Sequence, residues 1–288
     1  MTNATSNSPD ALVSTDWLTA ELGAPDLLVF DATVFLNRSD DGTVSIDSGA
    51  GAWAEAHIPT SGHLDLIEEL SDPTSPLGFT APPPDTLAAA FAARGIGDGT
   101  RVVLYDAVFN MWATRVWWLL RSIGFDAMVL DGGLVAWQHD GYDTTTDPEP
   151  DRPAATLRVD PHPELFTDST AVEAVISSGS ACILNALTAD NHNGNDAAYG
   201  RPGHIPGAEN VSAMDLVDPE TRRYRPLAEL RSEFEAAGAL DGPTITYCGG
   251  GIAATSDAFV LHLLGNDDVS VYDGSLRDWT TRGLPLEC

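Results

Sequence analysis

The 288-residue sequence contains no lysine: its 14 basic residues are all arginine, set against 43 Asp and Glu for a formal charge of −29. That absence removes Schiff-base lysines, Walker-type phosphate lysines and Ser-Lys hydrolases. The shortage of positive charge argues against nucleic acid and anionic membranes as partners, because such binding gains its affinity by releasing counterions around Lys and Arg contacts. Cysteine is scarce too. Cys182, Cys248 and Cys288 cannot build a disulfide framework and show no C-x-x-C spacing, so no metal is expected and each thiol is judged singly. No run approaches about 18 apolar residues, and the opening MTNATSNSPD has neither a basic start nor an apolar stretch. Neither a membrane span nor a secretory signal is expected, and the expected location is cytoplasmic.

What is present is enough to build a core. The hydrophobic fraction is 43% with seven tryptophans, so the acidity belongs to the surface of a globular protein and not to a disordered chain. An acidic, lysine-free surface resembles that of halophilic proteins, whose self-repulsion is screened within about 3 Å in molar salt; an acidic mesophilic protein that happens to lack lysine is the alternative. Length alone sets a prior of two domains of about 100–150 residues each.

Apolar β-rich runs recur at 27–32, 101–107, 127–133, 181–186, 244–250 and 270–275, alternating with amphipathic stretches at 84–94, 110–123, 168–178, 227–237 and 253–264. The alternation predicts an α/β fold, parallel sheets covered by helices on both faces. The stretch TTTDPEPDRPAATLRVDPHP (144–163) is rich in proline and charge and reads as a crossing. The expected division is therefore 1–145, a linker at 146–163, and 164–288. The halves repeat at an offset of 142: Tyr105-Asp106 falls on Tyr247-Cys248, Asp131-Gly132 on Asp273-Gly274, Leu134 on Leu276 and Trp137 on Trp279. His57-Ile58-Pro59 answers His204-Ile205-Pro206 upstream. One α/β unit has been duplicated, each copy closing its own core.

The chemistry concentrates at Cys248, at the end of the run TITY and ahead of an apolar helical stretch. It opens a loop of Gly249, Gly250, Gly251, Ile252 and Ala253. Consecutive glycines cost backbone entropy unless the loop needs unusual dihedrals, and such a loop turns N–H groups inward as a nest for an anion. The following helix adds its positive end. Both favour thiolate over thiol, making Cys248 a nucleophile able to hold an anionic sulfur product. A buried structural cysteine beside a turn is the bland alternative.

GHIPGA (203–208), YCGGGIA (247–253) and VYDGSLRDW (271–279) together resemble the tandem rhodanese-domain sulfurtransferases, the family of thiosulfate and 3-mercaptopyruvate sulfurtransferases, from about Val13 to Leu286. The resemblance implies two tandem rhodanese-like domains, with Cys248 taking a sulfane sulfur as a persulfide and passing it to a thiophilic acceptor such as cyanide or a thiol. It implies a small anionic donor, no cofactor, and a monomer or homodimer. Asp106 at the matching place implies a catalytically silent N-terminal domain. The loop departs from both familiar patterns: Gly249 and Gly250 replace the basic residues of thiosulfate-type loops, and Gly250 replaces the serine of mercaptopyruvate-type loops. Phe79 stands near a position that carries histidine in the latter.

The family places arginines between the preceding strand and GHIPGA, and Arg201 is the one arginine in 186–203. It is the first choice for the donor's carboxylate or sulfonate, with His192 and Asn191 as further candidates near the family's other anion-binding position. His57 and His204, repeated in both copies, read as loop-fixing. Trp112, Trp117 and Trp118 read as core or domain interface, Cys182 as inert, and Arg222, Arg223 and Arg225 as a solvated surface turn. Two rival functions are weighed. A rhodanese-related phosphatase needs an arginine after five residues beyond the cysteine, where Ala254 stands. A non-enzymatic binding module would have no use for an intact cysteine cradle.

Overall fold

The computed structural model describes residues 11–38, 44–197 and 199–288, without the side chains of Arg38 and Val44. The first half runs β1 (Leu12–Val13), α1 (Thr15–Glu21), β2 (Leu27–Asp31), β3 (Val34–Arg38), β4 (Val44–Ser48), α2 (Ala50–Glu55), β5 (Gly62–His63), α3 (Pro84–Ala93), β6 (Arg101–Tyr105), α4 (Met111–Arg121), β7 (Met128–Leu130) and α5 (Gly133–His139). The second runs β8 (Phe166–Thr167), α6 (Ser169–Ser178), β9 (Cys182–Asn185), α7 (Ala189–His192), β10 (Glu209–Asn210), α8 (Leu227–Ala236), β11 (Thr244–Tyr247), α9 (Ala253–Leu263), β12 (Val269–Tyr272) and α10 (Ser275–Thr281).

Each half builds one five-stranded sheet, in the orders β1-β7-β6-β2-β5 and β8-β12-β11-β9-β10, with every pairing parallel. The orders match strand for strand, so the sequence repeat is a repeat of topology. The central strands β6 and β11 are buried almost throughout, as strands covered by helices on both faces must be. The α/β expectation holds, and the six apolar runs are all strands. Elements without a periodic signal escaped: the two-residue edge strands, and the hairpin β3–β4, which pairs Val34 with Ser48 and Arg38 with Val44.

The halves meet along α4 and α9, the helices that follow Asp106 and Cys248. Thr114 Oγ1 lies 3.1 Å from Thr255 Oγ1 and 3.2 Å from Ser256 Oγ, and Trp117 meets Phe259 edge-on at 4.9 Å. The tryptophans of α4 are core and interface, as expected. Reciprocal loops lock the seam. Residues 77–81 of the first half bond to Arg277, Arg115 and Asp273. In the second, the Tyr224 N–H donates to Asp131 Oδ1 at 2.8 Å and the Arg222 carbonyl accepts from Asn110 Nδ2 at 2.9 Å. The Arg222–Arg225 stretch is thus no free surface turn: it docks on the other half, Arg223 pairs with Asp140, and Arg225 with Glu229 and Glu233. The proline-rich crossing is also strapped down, through Ala155 N–H to the Ala92 carbonyl (2.8 Å) and Asp160 N–H to that of Ile123 (2.9 Å).

The duplication exposes one mismatch with a pH consequence. Asp31 and Asn185 end equivalent strands, and each accepts the N–H two residues on, from Thr33 at 2.7 Å and Leu187 at 3.0 Å. Asp31 is buried, and loss of solvent pushes its carboxyl up to about 7. The native state then holds a proton that the unfolded chain has released, so stability falls as pH rises from 3.8 to about 7. Asp31→Asn is expected to gain on the wild type from pH 5 to pH 8, by roughly 1–3 kcal/mol. Denaturant melts at both pH values check this; parallel shifts of the two proteins would refute it.

Candidate active site

β11 delivers Cys248 to the C-terminal edge of its sheet, 3% exposed, and the loop turns there into α9. α10 pins the loop from outside: the carbonyls of Cys248 and Gly249 accept the N–H groups of Leu276 and Arg277, both at 3.0 Å. Ser275, at φ +50°, accepts N–H bonds from Cys248 and Gly251, both 3.1 Å, and donates to the Tyr272 carbonyl at 2.7 Å. Gly251 has φ +78°, and a Cβ there would lie 2.7 Å from the Asp273 carbonyl oxygen, so only glycine fits. With the carbonyls of Cys248 and Gly249 held by α10 and two of its N–H groups held by Ser275, the loop is fixed in shape around the thiol.

The first half shows what such a loop holds. Asp106 Oδ1 accepts from the N–H groups of Val108 (2.8 Å) and Asn110 (3.1 Å), and Oδ2 from those of Trp112 (3.0 Å) and Ala113 (3.1 Å). Burial raises this carboxyl's pKa and the four amides oppose the rise. At the repeat offset these amides correspond to Gly250, Ile252, Ala254 and Thr255, of which the Thr255 N–H is taken by the Ile252 carbonyl at 2.9 Å. The terminal oxygens of aspartate lie two bonds beyond Cβ, as the outer sulfur of a cysteine persulfide would. Asp106 is a fixed hydrogen-bond acceptor of similar reach seated in the cradle's twin.

The wall opposite the cradle comes from the other half. Buried Arg115 of α4 pairs with Asp273 at 2.8 Å and donates to the Gly251 carbonyl (3.2 Å) and the Phe79 carbonyl (2.5 Å). The Ala81 N–H reaches Asp273 Oδ2 at 2.8 Å. Phe79 itself packs on Trp112, ring centres 5.3 Å apart. On the near side, Tyr199 lies across Gly249, whose Cβ would fall 2.0 Å from the tyrosine ring, and Arg277 donates to the Leu77 carbonyl at 2.5 Å.

The other residues singled out from the sequence are held as follows. Arg201 is exposed and donates to the Leu284 carbonyl at 2.7 Å. His192 stacks on His204 at 3.8 Å, and burial lowers its pKa to about 4, with His204 adding to the effect. His204 Nδ1 bonds the His192 carbonyl at 2.7 Å as His57 Nδ1 bonds that of Trp53 at 2.7 Å, the loop-fixing role expected of both. Asn191 donates to the Asp196 carbonyl at 3.3 Å and accepts from Thr188 at 2.9 Å. Cys182 starts β9, paired with Thr244 while Cys248 follows Tyr247, so it sits at the opposite edge of the sheet. Its thiol faces the Ala237 carbonyl at 3.4 Å, and burial pushes it up to about 11. A cavity of about 510 Å³ lies at that same far edge, lined by Arg121, Thr244 and Asp267. Among the described residues no group of three His, Cys, Asp or Glu is placed to hold a metal.

Residues 14–140 and 190–282 match the rhodanese-like domain. The chain belongs to the rhodanese family of sulfurtransferases. This rhodanese is similar to the 3-mercaptopyruvate sulfurtransferase of Escherichia coli (strain K12), 32% identical over 282 residues, covering 96% of this chain and 97% of that protein. It is also similar to the thiosulfate sulfurtransferase of Bos taurus, 31% identical over 290 residues, with 96% and 93% covered. Among solved structures, a crystal structure of a 3-mercaptopyruvate sulfotransferase from Escherichia coli superimposes with a TM-score of 0.81 at 30% identity, covering 92% of this chain and 98% of that one. Sequence reasoning found the rhodanese cysteine loop but missed Tyr199 and Arg277. Arg277 lies inside the motif VYDGSLRDW, where its presence so close to the loop was the available signal; nothing in the sequence marks Tyr199.

Proposed function

We propose that this sulfurtransferase moves a sulfane sulfur from a small anionic donor, thiosulfate or 3-mercaptopyruvate, to a thiophilic acceptor such as cyanide or a thiol, through a persulfide on Cys248. The observation that carries the reading is Asp106 in the twin cradle: its four amide bonds display the anion that the loop is shaped for, and in the second half a cysteine stands in its place. The cycle is ping-pong. The Cys248 thiolate attacks the donor's sulfane sulfur, forming the S–S bond of the persulfide. The donor's own S–S or C–S bond breaks, and its electron pair leaves on sulfite or on the enolate of pyruvate. The acceptor then attacks the outer sulfur and returns Cys248 as thiolate. The amides of the loop and the start of α9 hold the negative charge at both stages. Asp106 can neither attack nor carry sulfur, so the first half is silent in chemistry and serves the site through its 77–81 wall. We assign it to the domain at 1–145 and the active domain to 164–288.

Cys248→Ser is expected to abolish transfer from either donor with the fold intact, whereas Cys182→Ser and Cys288→Ser retain it, read as thiocyanate formation with cyanide. Near wild-type turnover by Cys248→Ser would defeat this mechanism. For Arg201 we propose a place at the outer rim of the donor's path, with the His192–His204 stack and Asn191 holding the segment that carries it. Arg201→Ala is expected to raise the donor KM about tenfold, as for one lost charge-assisted hydrogen bond. An unchanged KM removes Arg201 from the path.

No helix among the described residues is long and apolar enough to cross a membrane, and we place the protein in the cytoplasm, as a monomer or homodimer, in a salt-rich cell. With a charge of −29 and anionic substrates, low salt acts twice, through self-repulsion and through an adverse field on substrate approach, and molar salt confines both to about 3 Å. Activity and Tm are expected to rise together between about 0.1 M and 1 M KCl. Full activity and stability in dilute buffer would remove the halophilic assignment.

A further inference from the structure

We propose that Arg277 and Tyr199, brought together over Gly249, are the donor-recognition pair of this site. Arg277 takes the donor's terminal oxyanion, carboxylate or sulfonate, and the Tyr199 hydroxyl donates a hydrogen bond to the transferring sulfur or its leaving group. The inference rests on the Cys248 reading above and adds to it the groups that recognise the donor.

The loop offers no cation of its own. Gly250 opens onto empty space, and the space beside Gly249 is filled by Tyr199, with two ring carbons at 2.0 and 2.1 Å and the hydroxyl at 2.3 Å from where a Cβ would stand. The side chain that covers the loop at Gly249 is therefore a phenol. Among the described residues its hydroxyl has no hydrogen-bond partner. Burial pushes Tyr199 up to about 12, with Cys248 raising and Arg277 lowering it; all three groups share one neighbourhood, and the phenol stays a proton-bearing donor at neutral pH.

Arg277 enters from α10. Its backbone N–H bonds the Gly249 carbonyl at 3.0 Å and one guanidinium nitrogen bonds the Leu77 carbonyl at 2.5 Å; among the described residues the rest of the fork has no hydrogen-bond partner. Arginine in this chain usually sits against acid: Arg94, Arg101, Arg121, Arg152 and Arg282 all pair with carboxylates. Arg277, half-buried beside the reactive loop, has no carboxylate partner among the described residues. In a chain with 43 acidic residues, a desolvated guanidinium left unpaired at the mouth of an anion-handling site is disposed to bind an anion from solution. Thr280, one turn along α10 from Arg277, donates to the Tyr199 carbonyl at 3.1 Å, which ties the backbone that carries Tyr199 to the helix that carries Arg277.

The test uses the full chain in high salt, with thiosulfate and with 3-mercaptopyruvate as donors and cyanide as acceptor. Arg277→Met is expected to lower kcat/KM about 10- to 100-fold, chiefly through KM, with Arg277→Lys recovering part of the loss. Tyr199→Phe is expected to lower kcat more than it raises KM, because its bond strengthens as charge moves onto the leaving group. Reaction of Cys248 with dimethyl trisulfide, a neutral donor without an oxyanion, forms a mixed trisulfide as the thiolate attacks the central sulfur and methanethiolate leaves; read by peptide mass as the gain of S–S–CH3 on Cys248, its rate is expected to be the same in Arg277→Met as in the wild type, because no oxyanion is held. A loss confined to one donor identifies that donor's oxyanion as the one held. Unchanged kcat/KM for both donors in Arg277→Met, beside an active wild type, overturns the pair and leaves the Cys248 mechanism standing. A wild type that gains sulfur from no donor overturns both.

Discussion

The hydrogen bonding of backbone amides to an anion at a strand-to-helix turn is the interaction on which the rest of this molecule depends. Amides buried at a helix start need acceptors. In the first half the acceptor is built in, as Asp106, and the loop is satisfied permanently. In the second half, on the proposed mechanism, it is a sulfur that comes and goes, and a loop that passes through both states needs outside support to keep its shape. Ser275 supplies it, accepting from Cys248 and Gly251. The equivalent residue of the first half is Gly133, where a Cβ would fall 2.1 Å from the Asp106 carbonyl oxygen. A loop closed around its own carboxylate has no room for the brace and no need of it.

On the proposed mechanism this contrast gives a use to a half that has Asp106 where the other has Cys248. The 77–81 segment, held by Arg277, Arg115 and Asp273, is a wall of the active site, and it belongs to the first half. Arg115 ties the two together: it is fully buried, bonds the cradle through Gly251 and the wall through Phe79, and is neutralised by Asp273. Its counterpart at the repeat offset is Asp257, also fully buried but with neither oxygen bonded among the described residues, and with its carboxyl pushed well above the usual range by burial. The seam is therefore symmetric in backbone and asymmetric in charge, and the cation bonds the cysteine loop.

Periodicity made the architecture legible. The stretch 253–264 forms α9 at Ala253–Leu263, and each apolar run became a strand, because burial on both faces leaves a continuous signal. Two-residue edge strands carry no such signal. Cys248 was legible because glycines, strand and helix converge on it in sequence. Arg201 was chosen by the same kind of local logic, yet its side chain turns to the Leu284 carbonyl, a partner 83 residues away that no window contains. Tyr199 reaches the cradle across nearly 50 positions and Arg277 across nearly 30, distances over which only the folded chain brings residues together. Asp106 was visible as a substitution, but its four amide bonds, and so its meaning as the anion in the mould, appear only in the fold.

The charge balance bears on the same site. A protein of charge −29 that handles small anions works against its own field, and its scarce cations are mostly neutralised where they stand by surface acids, each such pair worth little. What matters for an incoming anion is the local arrangement once screening has shortened the range of everything else. At short range the site offers amides, the end of a helix, a phenol that stays protonated and one guanidinium without a carboxylate. None of these depends on the net charge, and backbone amides and a phenol carry no formal charge to be screened. An anion-binding site built mainly from such groups suits a chain whose surface is acidic, because salt can relieve the long-range repulsion without dissolving the short-range attraction.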